Sequence, residues 1–203
     1  MNGAWVFVLG WTFGSVAMAW PRVQEHLHST HSCHKAETAA GAARAHTDEK
    51  FAFTAQAPME RVAPLFGADK ERTWAPRLEP QFVYPLPAAD KRGMVFMVTH
   101  GNHKSVWVNT QLDWKNGRVQ YVYVIPDVLA TLITLQLTAE GEKTRVEVEY
   151  ERTALTTDAD EQVRQMAEND RAAGPEWEGQ VNGYLKMGRR AGYKACPSFF
   201  GNT

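Results

Sequence analysis

The stretch VWVNTQLDWKNGRVQYVYVIP, Val106 to Pro126, decides how this chain folds. Asn116-Gly117 in its middle is the strongest two-residue hairpin signal a sequence offers, because both residue types tolerate the positive φ such a turn needs. On either side stand runs rich in Val, Trp, Tyr and Ile, whose branched or flat side chains fit a pleated surface. The reading is two antiparallel strands joined by a tight turn. In VQYVYVI both faces are apolar, with Tyr121, Tyr123 and Ile125 on one and Val122 and Val124 on the other, so this strand is expected at the centre of a sheet.

Working outward, QFVYP, GMVFMVTH, LATLITLQLTA and TRVEVEYERT are further strand-length runs. Gly101-Asn102 and Pro126-Asp127 break neighbouring runs and Glu140-Gly141 closes another hairpin, which makes the topology an antiparallel meander. In the last run Val146, Val148 and Tyr150 alternate with Arg145, Glu147, Glu149 and Glu151, so one side is buried and the acidic row is a solvated face.

Helices flank the meander. Upstream, Phe51 and Phe53 mark a short strand. A helix is predicted from Pro58 to about Phe66, with Val62, Leu65 and Phe66 facing inward and Gly67 ending it in a left-handed conformation. A second short helix runs from Asp69 to about Trp74 and stops at Pro76. Downstream, Asp158 and Glu161 form a D-x-x-E start, and Gly174-Pro175 interrupts the helix that follows. The next segment, PEWEGQVNGYLKMG, puts Trp177, Val181, Tyr184, Leu185 and Gly188 on one stripe. Its Gly179 and Gly183 lower helix propensity by about 1 kcal/mol each, so a close approach of neighbouring backbone is expected there.

Composition narrows the function. A chain of 203 residues suits one domain with appendages, and a net charge of -1 gives no field that would gather polyanions, which excludes nucleic acid as an expected partner. Residues 1–19 read as a signal peptide or an N-terminal anchor, because Ala4 to Ala19 is apolar throughout and ends in Ala17-Met18-Ala19, a small-x-small cleavage pattern. The expected location is periplasmic or secreted, the alternatives being an N-terminal membrane anchor, with membrane proximity through that segment, or a cytoplasmic protein with a misassigned start. Residues 20–50 read as a flexible His- and Ala-rich linker, 51–188 as the folded domain and 189–203 as a tail. Cys33 and Cys196 are too few for a disulfide framework and can pair only with each other, in an oxidising compartment. His26, His28, His31, Cys33 and His34 bring metal-binding groups together, but their spacing matches no closed tetrahedral site, and the tract is read as a solvated tether with weak metal capacity.

Taken in order, FTAQAPMERVAPLF, KERTWAPRLEPQFVYP, GMVFMVTH, VWVNTQLDW, VQYVYVIP, TRVEVEYERTALT and YLKMG make residues 51–188 resemble the SRPBCC, or START-like, superfamily, and in particular its bacterial members. The resemblance implies an α+β helix-grip fold: a curved antiparallel sheet wrapped around a long C-terminal helix, with two short helices after the first strand and an apolar cavity between sheet and helix. It implies binding or transport of a hydrophobic small molecule, lipid-like or aromatic, with no cofactor. Residues placed on the cavity wall are Trp74, Phe96, Trp107, Asn109, Tyr121, Tyr123, Ile133, Leu135, Tyr150, Trp177, Val181, Tyr184 and Leu185. Met94, Val98, Ile125, Leu137, Val146 and Val148 are further inward candidates. Trp107, Asn109 and Gln111 share one strand face, and Val106, Val108 and Leu112 the other. The sequence leaves open which face is inner.

The enzyme alternative, a cyclase, dehydratase or hydrolase of the same superfamily, rests on His100 and His103 beside a turn and on Asp113. No nucleophile elbow, P-loop, dinucleotide fingerprint or HExxH motif strengthens it. A third alternative is metal handling by the histidine tract.

Overall fold

The structure is a computed structural model that describes residues 43–76, 78–100 and 103–190. Seven strands form one antiparallel sheet in the order β1-β7-β6-β5-β4-β3-β2: β1 His46–Ala55, β2 Gln81–Tyr84, β3 Val95–His100, β4 His103–Asp113, β5 Arg118–Ile125, β6 Leu129–Glu140 and β7 Lys143–Ala154. Strand β5, apolar on both faces, is the middle strand. Its inner residues Val119, Tyr121, Tyr123 and Ile125 are buried. Its outer ones sit in aliphatic rows, Val95-Val108-Val122-Leu132 and Met97-Val106-Val124-Ala130, that run across β3 to β6.

Two hairpin details differ from expectation. The β4–β5 connection is not a two-residue Asn-Gly turn: Asp113 pairs with Arg118, and Trp114 to Asn116 form a 3-10 turn capped by the Asp113 carboxylate, which accepts from the Asn116 backbone N–H at 3.3 Å and its Nδ2 at 2.8 Å. Gly117 then supplies the left-handed residue, φ 66°, where a Cβ would lie 2.2 Å from the Leu137 carbonyl oxygen. The register of β4 against β5 also slips between Asn109 and Gln111. A slip of one residue exchanges faces. Trp107 and Asn109 therefore point inward and Val106 outward, whereas beyond the slip Leu112, opposite buried Val119, packs against the core. Gln111 pairs with Gln120 on the outer face, which removes it as an inward hydrogen-bonder. There Gln120 bonds the hydroxyls of Thr110 and Thr134.

Strand β1 begins at His46 rather than at Phe51. Residues 46–50 lack an apolar pattern because they lie on an edge strand, and their pairing is set by β7: His46 opposes Thr153, and Lys50 opposes Glu149 with an ion pair of 2.6 Å. The histidine tract, both cysteines and residues 1–42 and 191–203 lie outside the described residues. Among the described residues no helix is long and apolar enough to cross a membrane.

The early helices are short, α1 Met59–Val62 continuing as a 3-10 turn to Leu65, and α2 Ala68–Glu71. Gly67 is extended, φ -162°, not left-handed. Its missing side chain makes room for Asp90, whose carboxylate a Cβ would approach within 2.4 Å. That carboxylate accepts from the Asp69 and Lys70 N–H groups at 2.9 and 3.1 Å and so caps α2 from across the fold.

The C-terminal helices are α3 Asp160–Ala172 and α4 Gly174–Arg190, broken at Ala173. Helix α3 starts at Asp160 without a side-chain cap, after a 3-10 turn that takes up Asp158. Asn182 pins α4 to β1, its Oδ1 accepting from the Gln56 N–H at 2.7 Å and its Nδ2 donating to the Thr54 carbonyl at 2.9 Å. Gly179 and Gly183 face no neighbour within 4 Å, so the expected close approach of backbone is absent.

Candidate functional site

Strand register assembles the inner face of the sheet. One cross-strand row reads Phe96-Trp107-Tyr123-Thr131-Arg152 from β3 to β7, and the next reads Asn109-Tyr121-Ile133-Tyr150 from β4 to β7. Aromatic rings dominate both. Trp107 stacks on Tyr123 with centroids 4.2 Å apart and on Phe96 at 5.5 Å. From the other side Trp177 of α4 drops its indole among Phe51, Phe53, Phe66 and Trp74, at centroid distances of 5.6 to 6.3 Å. Edge-on and offset contacts of this kind hold rings more firmly than their buried area alone.

Between the two layers lies an inner cavity lined by Glu71, Leu78, Phe96, Trp107, Tyr121, Ile133, Tyr150 and Trp177. Its volume is about 20 Å³. The spacious hollow implied by the resemblance is thus closed down by side chains, because the aromatic rows of sheet and helix reach across to one another. A second cleft of about 410 Å³ opens at the surface beside it, lined by Arg72 to Pro76, Leu78, Glu79 and Gln180. Leu78, half-buried, belongs to both and is the partition between them.

Six of the wall residues named from sequence line the cavity: Phe96, Trp107, Tyr121, Ile133, Tyr150 and Trp177. Asn109 is fully buried one position along the same row as Tyr121. Trp74 lines the outer cleft and donates its Nε1 hydrogen to the Leu65 carbonyl at 2.8 Å. Leu135, Val181 and Leu185 are solid core, as are Met94, Val98, Ile125, Leu137, Val146 and Val148, while Tyr184 is half-buried against that core. Tyr123 is taken up by a different task, described next.

Arg152 is 2% exposed and lies on the inner row of β7, two positions beyond Tyr150. Its Nε and Nη2 donate to Asp170 of α3 at 2.6 and 2.9 Å, and its Nη1 donates to the Thr131 hydroxyl at 3.1 Å and to the Tyr123 hydroxyl. Its guanidinium lies 4.6 Å from the Tyr150 ring centroid. This bidentate, hydrogen-bonded charge ties three strands to α3. Sequence reasoning missed it, although the alternation Val146, Val148, Tyr150 continues to Arg152 and carries the signal.

The cavity has polar atoms that the protein leaves unpartnered. Among the described tryptophans, Trp74, Trp107 and Trp114 donate their indole N–H to protein acceptors, whereas Trp177 Nε1 has none. Asn109 Oδ1 is likewise buried without a hydrogen-bond partner, and the Tyr121 hydroxyl has no partner but the Glu71 carboxyl. Such groups are uncommon because desolvating them without compensation is unfavourable by about 1–3 kcal/mol each.

Glu71, the last residue of α2, presents a carboxyl to the same space, and sequence reading gave it no role. Burial, and then the neighbouring Asp90 charge, push its pKa up to about 8, while an interaction with the Tyr121 hydroxyl pulls the other way. Burial raises Asp90 as well, against the two backbone N–H groups that favour its charged form. Tyr121 is held well above its ordinary value by burial and by Glu71, so it stays a protonated hydroxyl.

The catalytic residues suggested by sequence do not gather here. His100 and His103 oppose each other at the β3–β4 hairpin, and Asp113 ends β4 at the other extremity, roughly 30 Å away at the usual rise per strand residue. His103 and Asp113 do not line the cavity, and Asp113 is occupied in capping a turn. Among the described residues no group of three or more His, Cys, Asp or Glu side chains could hold a metal ion.

No family model matches the chain, and no curated protein matches it significantly. Solved structures do. A norcoclaurine synthase point mutant from Thalictrum flavum in complex with a transition-state analogue is similar at a TM-score of 0.55 and 8% identity, over 73% of this chain and 99% of that one. The truncated enzyme from the same organism gives 0.54 at 8% identity, over 72% and 97%. The enzyme in complex with dopamine and hydroxybenzaldehyde gives 0.52 at 8% identity, over 71% and 89%. At such identity the likeness speaks for architecture alone, and together with the seven-stranded curved sheet and its C-terminal helices it gives this chain a Bet v1/SRPBCC-type helix-grip fold.

Proposed function

We propose that this protein binds a small, planar, largely apolar molecule carrying one hydrogen-bonding oxygen, in the space that opens between the inner sheet face and Trp177 when Leu78 swings aside and joins the cavity of about 20 Å³ to the outer cleft of about 410 Å³. One observation carries the reading: Trp177, whose Nε1 is buried and unpartnered, and Tyr121, whose hydroxyl has only the Glu71 carboxyl for a partner, line one aromatic-walled cavity. An oxygen on the ligand accepts from either group, while its flat body lies among Phe96, Trp107 and Tyr150. Burying about 150 Å² of ring surface stabilises the complex by roughly 4 kcal/mol, about millimolar affinity by itself, and the hydrogen bond to the ligand oxygen strengthens it about tenfold. Access runs through the outer cleft by displacement of Leu78, since that side chain alone is shared by both spaces. A protein of the same fold taking dopamine and hydroxybenzaldehyde supports this class of ligand.

The test is calorimetric titration of the purified protein with 2-naphthol, a flat ring system with one hydroxyl. One-to-one binding is expected, weakened about tenfold in Tyr121→Phe, in line with one lost hydrogen bond. Absence of saturable binding up to millimolar concentration overturns the reading. An exported location, periplasmic or secreted, is proposed from Ala4 to Ala19 alone, and fractionation of cells producing the full chain tests it.

A further inference from the structure

We infer that Glu71 is a catalytic residue, a general base that moves a proton to and from a carbon of the bound molecule, with a benzylic ketone, its acidic α-hydrogen next to the ring, as substrate class. The inference rests on the binding reading above and adds chemistry to it. Three placements carry it. Glu71 lines the cavity itself, with its carboxyl beside the Tyr121 hydroxyl. Trp177, with its unpartnered Nε1, and Tyr121, whose hydroxyl is shared only with Glu71, line the same cavity and are where a carbonyl oxygen would dock. Among the described residues the carboxyl has no ion pair and a single side-chain hydrogen-bond partner, the Tyr121 hydroxyl, in contrast to Asp170, which is spent on Arg152.

The step balances with the groups present. The ionised Glu71 carboxylate takes the α-hydrogen as a proton, and the C–H electron pair becomes the new C=C bond. The carbonyl π pair moves onto oxygen, where the Trp177 N–H, and the Tyr121 O–H once protonated Glu71 no longer needs it, stabilise the enolate charge. Return of the proton to carbon regenerates the ketone, and in water the carboxylic proton exchanges with solvent in between. Neither oxidant nor metal is needed for such an exchange.

Around Glu71 stand Asp90 from the loop before β3, Tyr121 from β5 and Tyr150 from β7, and no cation figures among the described groups that set its proton affinity. The like charge and the burial make its ionised form a strong base that is available only toward alkaline pH. Tyr121 works in the opposite sense, easing ionisation.

Deuterium exchange at the α-carbon of 2-tetralone in D₂O, followed by NMR, tests the inference, with binding of 2-tetralone measured separately by calorimetry. The expected result is exchange at least about 100-fold above the bulk rate, the size of an ordinary general-base effect. The rate should climb with pH and level off above about 8, where Glu71 has ionised. Glu71→Gln should abolish the acceleration while retaining binding. Tyr121→Phe should shift the midpoint of the pH profile upward, because the hydroxyl that eases ionisation is gone, and a purely structural role for Tyr121 would not move that midpoint. Should Glu71→Gln fail to fold, Glu71→Asp gives the same answer by withdrawing the carboxyl one methylene from the substrate, with a rate loss at unchanged binding. Binding without accelerated exchange, or exchange that survives Glu71→Gln, overturns the inference and leaves the binding reading standing. Failure of both 2-tetralone and 2-naphthol to bind overturns both.

Discussion

Arg152 and Asp170 face each other inside the protein in a two-point clasp, Nε to Oδ2 at 2.6 Å and Nη2 to Oδ1 at 2.9 Å, with the arginine 2% exposed. The pair joins the inner row of β7 to α3, and it lets a charge sit in the core because nearly every donor on the guanidinium has a partner. Removing one partner strands the other charge. Arg152→Met and Asp170→Leu are each expected to destabilise by about 3–5 kcal/mol in urea denaturation. The double variant should lose far less than the sum, since an apolar pair of similar volume replaces both charges. A fully additive double-mutant cycle would show that the clasp is not a unit.

Stability should respond to pH through Glu71. In the folded protein the carboxyl keeps its proton up to about 8, whereas its ordinary value is 4.5. Between those values the unfolded chain binds fewer protons than the folded one, so stability falls as pH rises through the window, and the loss is complete above about 8. Glu71→Gln removes the ionisation. The variant should gain on the wild type by an amount that grows from pH 5 to pH 9, on the order of 2–4 kcal/mol at the upper end. Chemical denaturation at both values measures it, and a gain independent of pH would contradict the burial of the carboxyl.

At pH 6, where Glu71 is protonated, Tyr121→Phe should change the stability of the unliganded protein by less than about 1 kcal/mol, because the hydroxyl's one partner is the neutral Glu71 carboxyl. The same change is expected to weaken 2-naphthol binding. A loss of binding of about tenfold beside so small a change in folding is the mark of a group that serves the ligand, and thermal unfolding alongside calorimetry reads both.

Glycines separate by what surrounds them. Gly67→Ala should destabilise by about 1–3 kcal/mol, since its Cβ would fall 2.4 Å from the Asp90 carboxyl carbon and push that group off the α2 backbone it caps. Gly179→Ala meets nothing within 4 Å and lies inside α4, so it should stabilise by up to about 1 kcal/mol. Melting temperatures of the two variants should move in opposite directions.

The fold was largely legible because its signals are local. Period-two alternation marked β7, the doubly apolar VQYVYVI marked the middle strand, and Gly141, in the left-handed conformation at φ 63°, closes the β6–β7 hairpin where Glu140-Gly141 signalled a turn. Local signals failed where a partner sets the conformation. Residues 46–50 are strand only because β7 pairs with them, and Gly67 is required by the carboxylate of Asp90 rather than by its own turn.

The cavity shows the same division. Alternation along each strand selected Phe96, Tyr121, Ile133 and Tyr150 for the inner face, and the helical stripe selected Trp177. The face on which Trp107 and Asn109 lie, and the exclusion of Gln111, depended on a one-residue slip between β4 and β5 that no pattern within either strand records. The sequence by itself determined which residues are apolar, how they alternate, and hence the sheet and the helix that covers it. Only the tertiary structure decided that Glu71 meets Tyr121 and Trp177 and that Arg152 finds Asp170, because a charged side chain's role depends on which groups far along the chain surround it and how completely they exclude water.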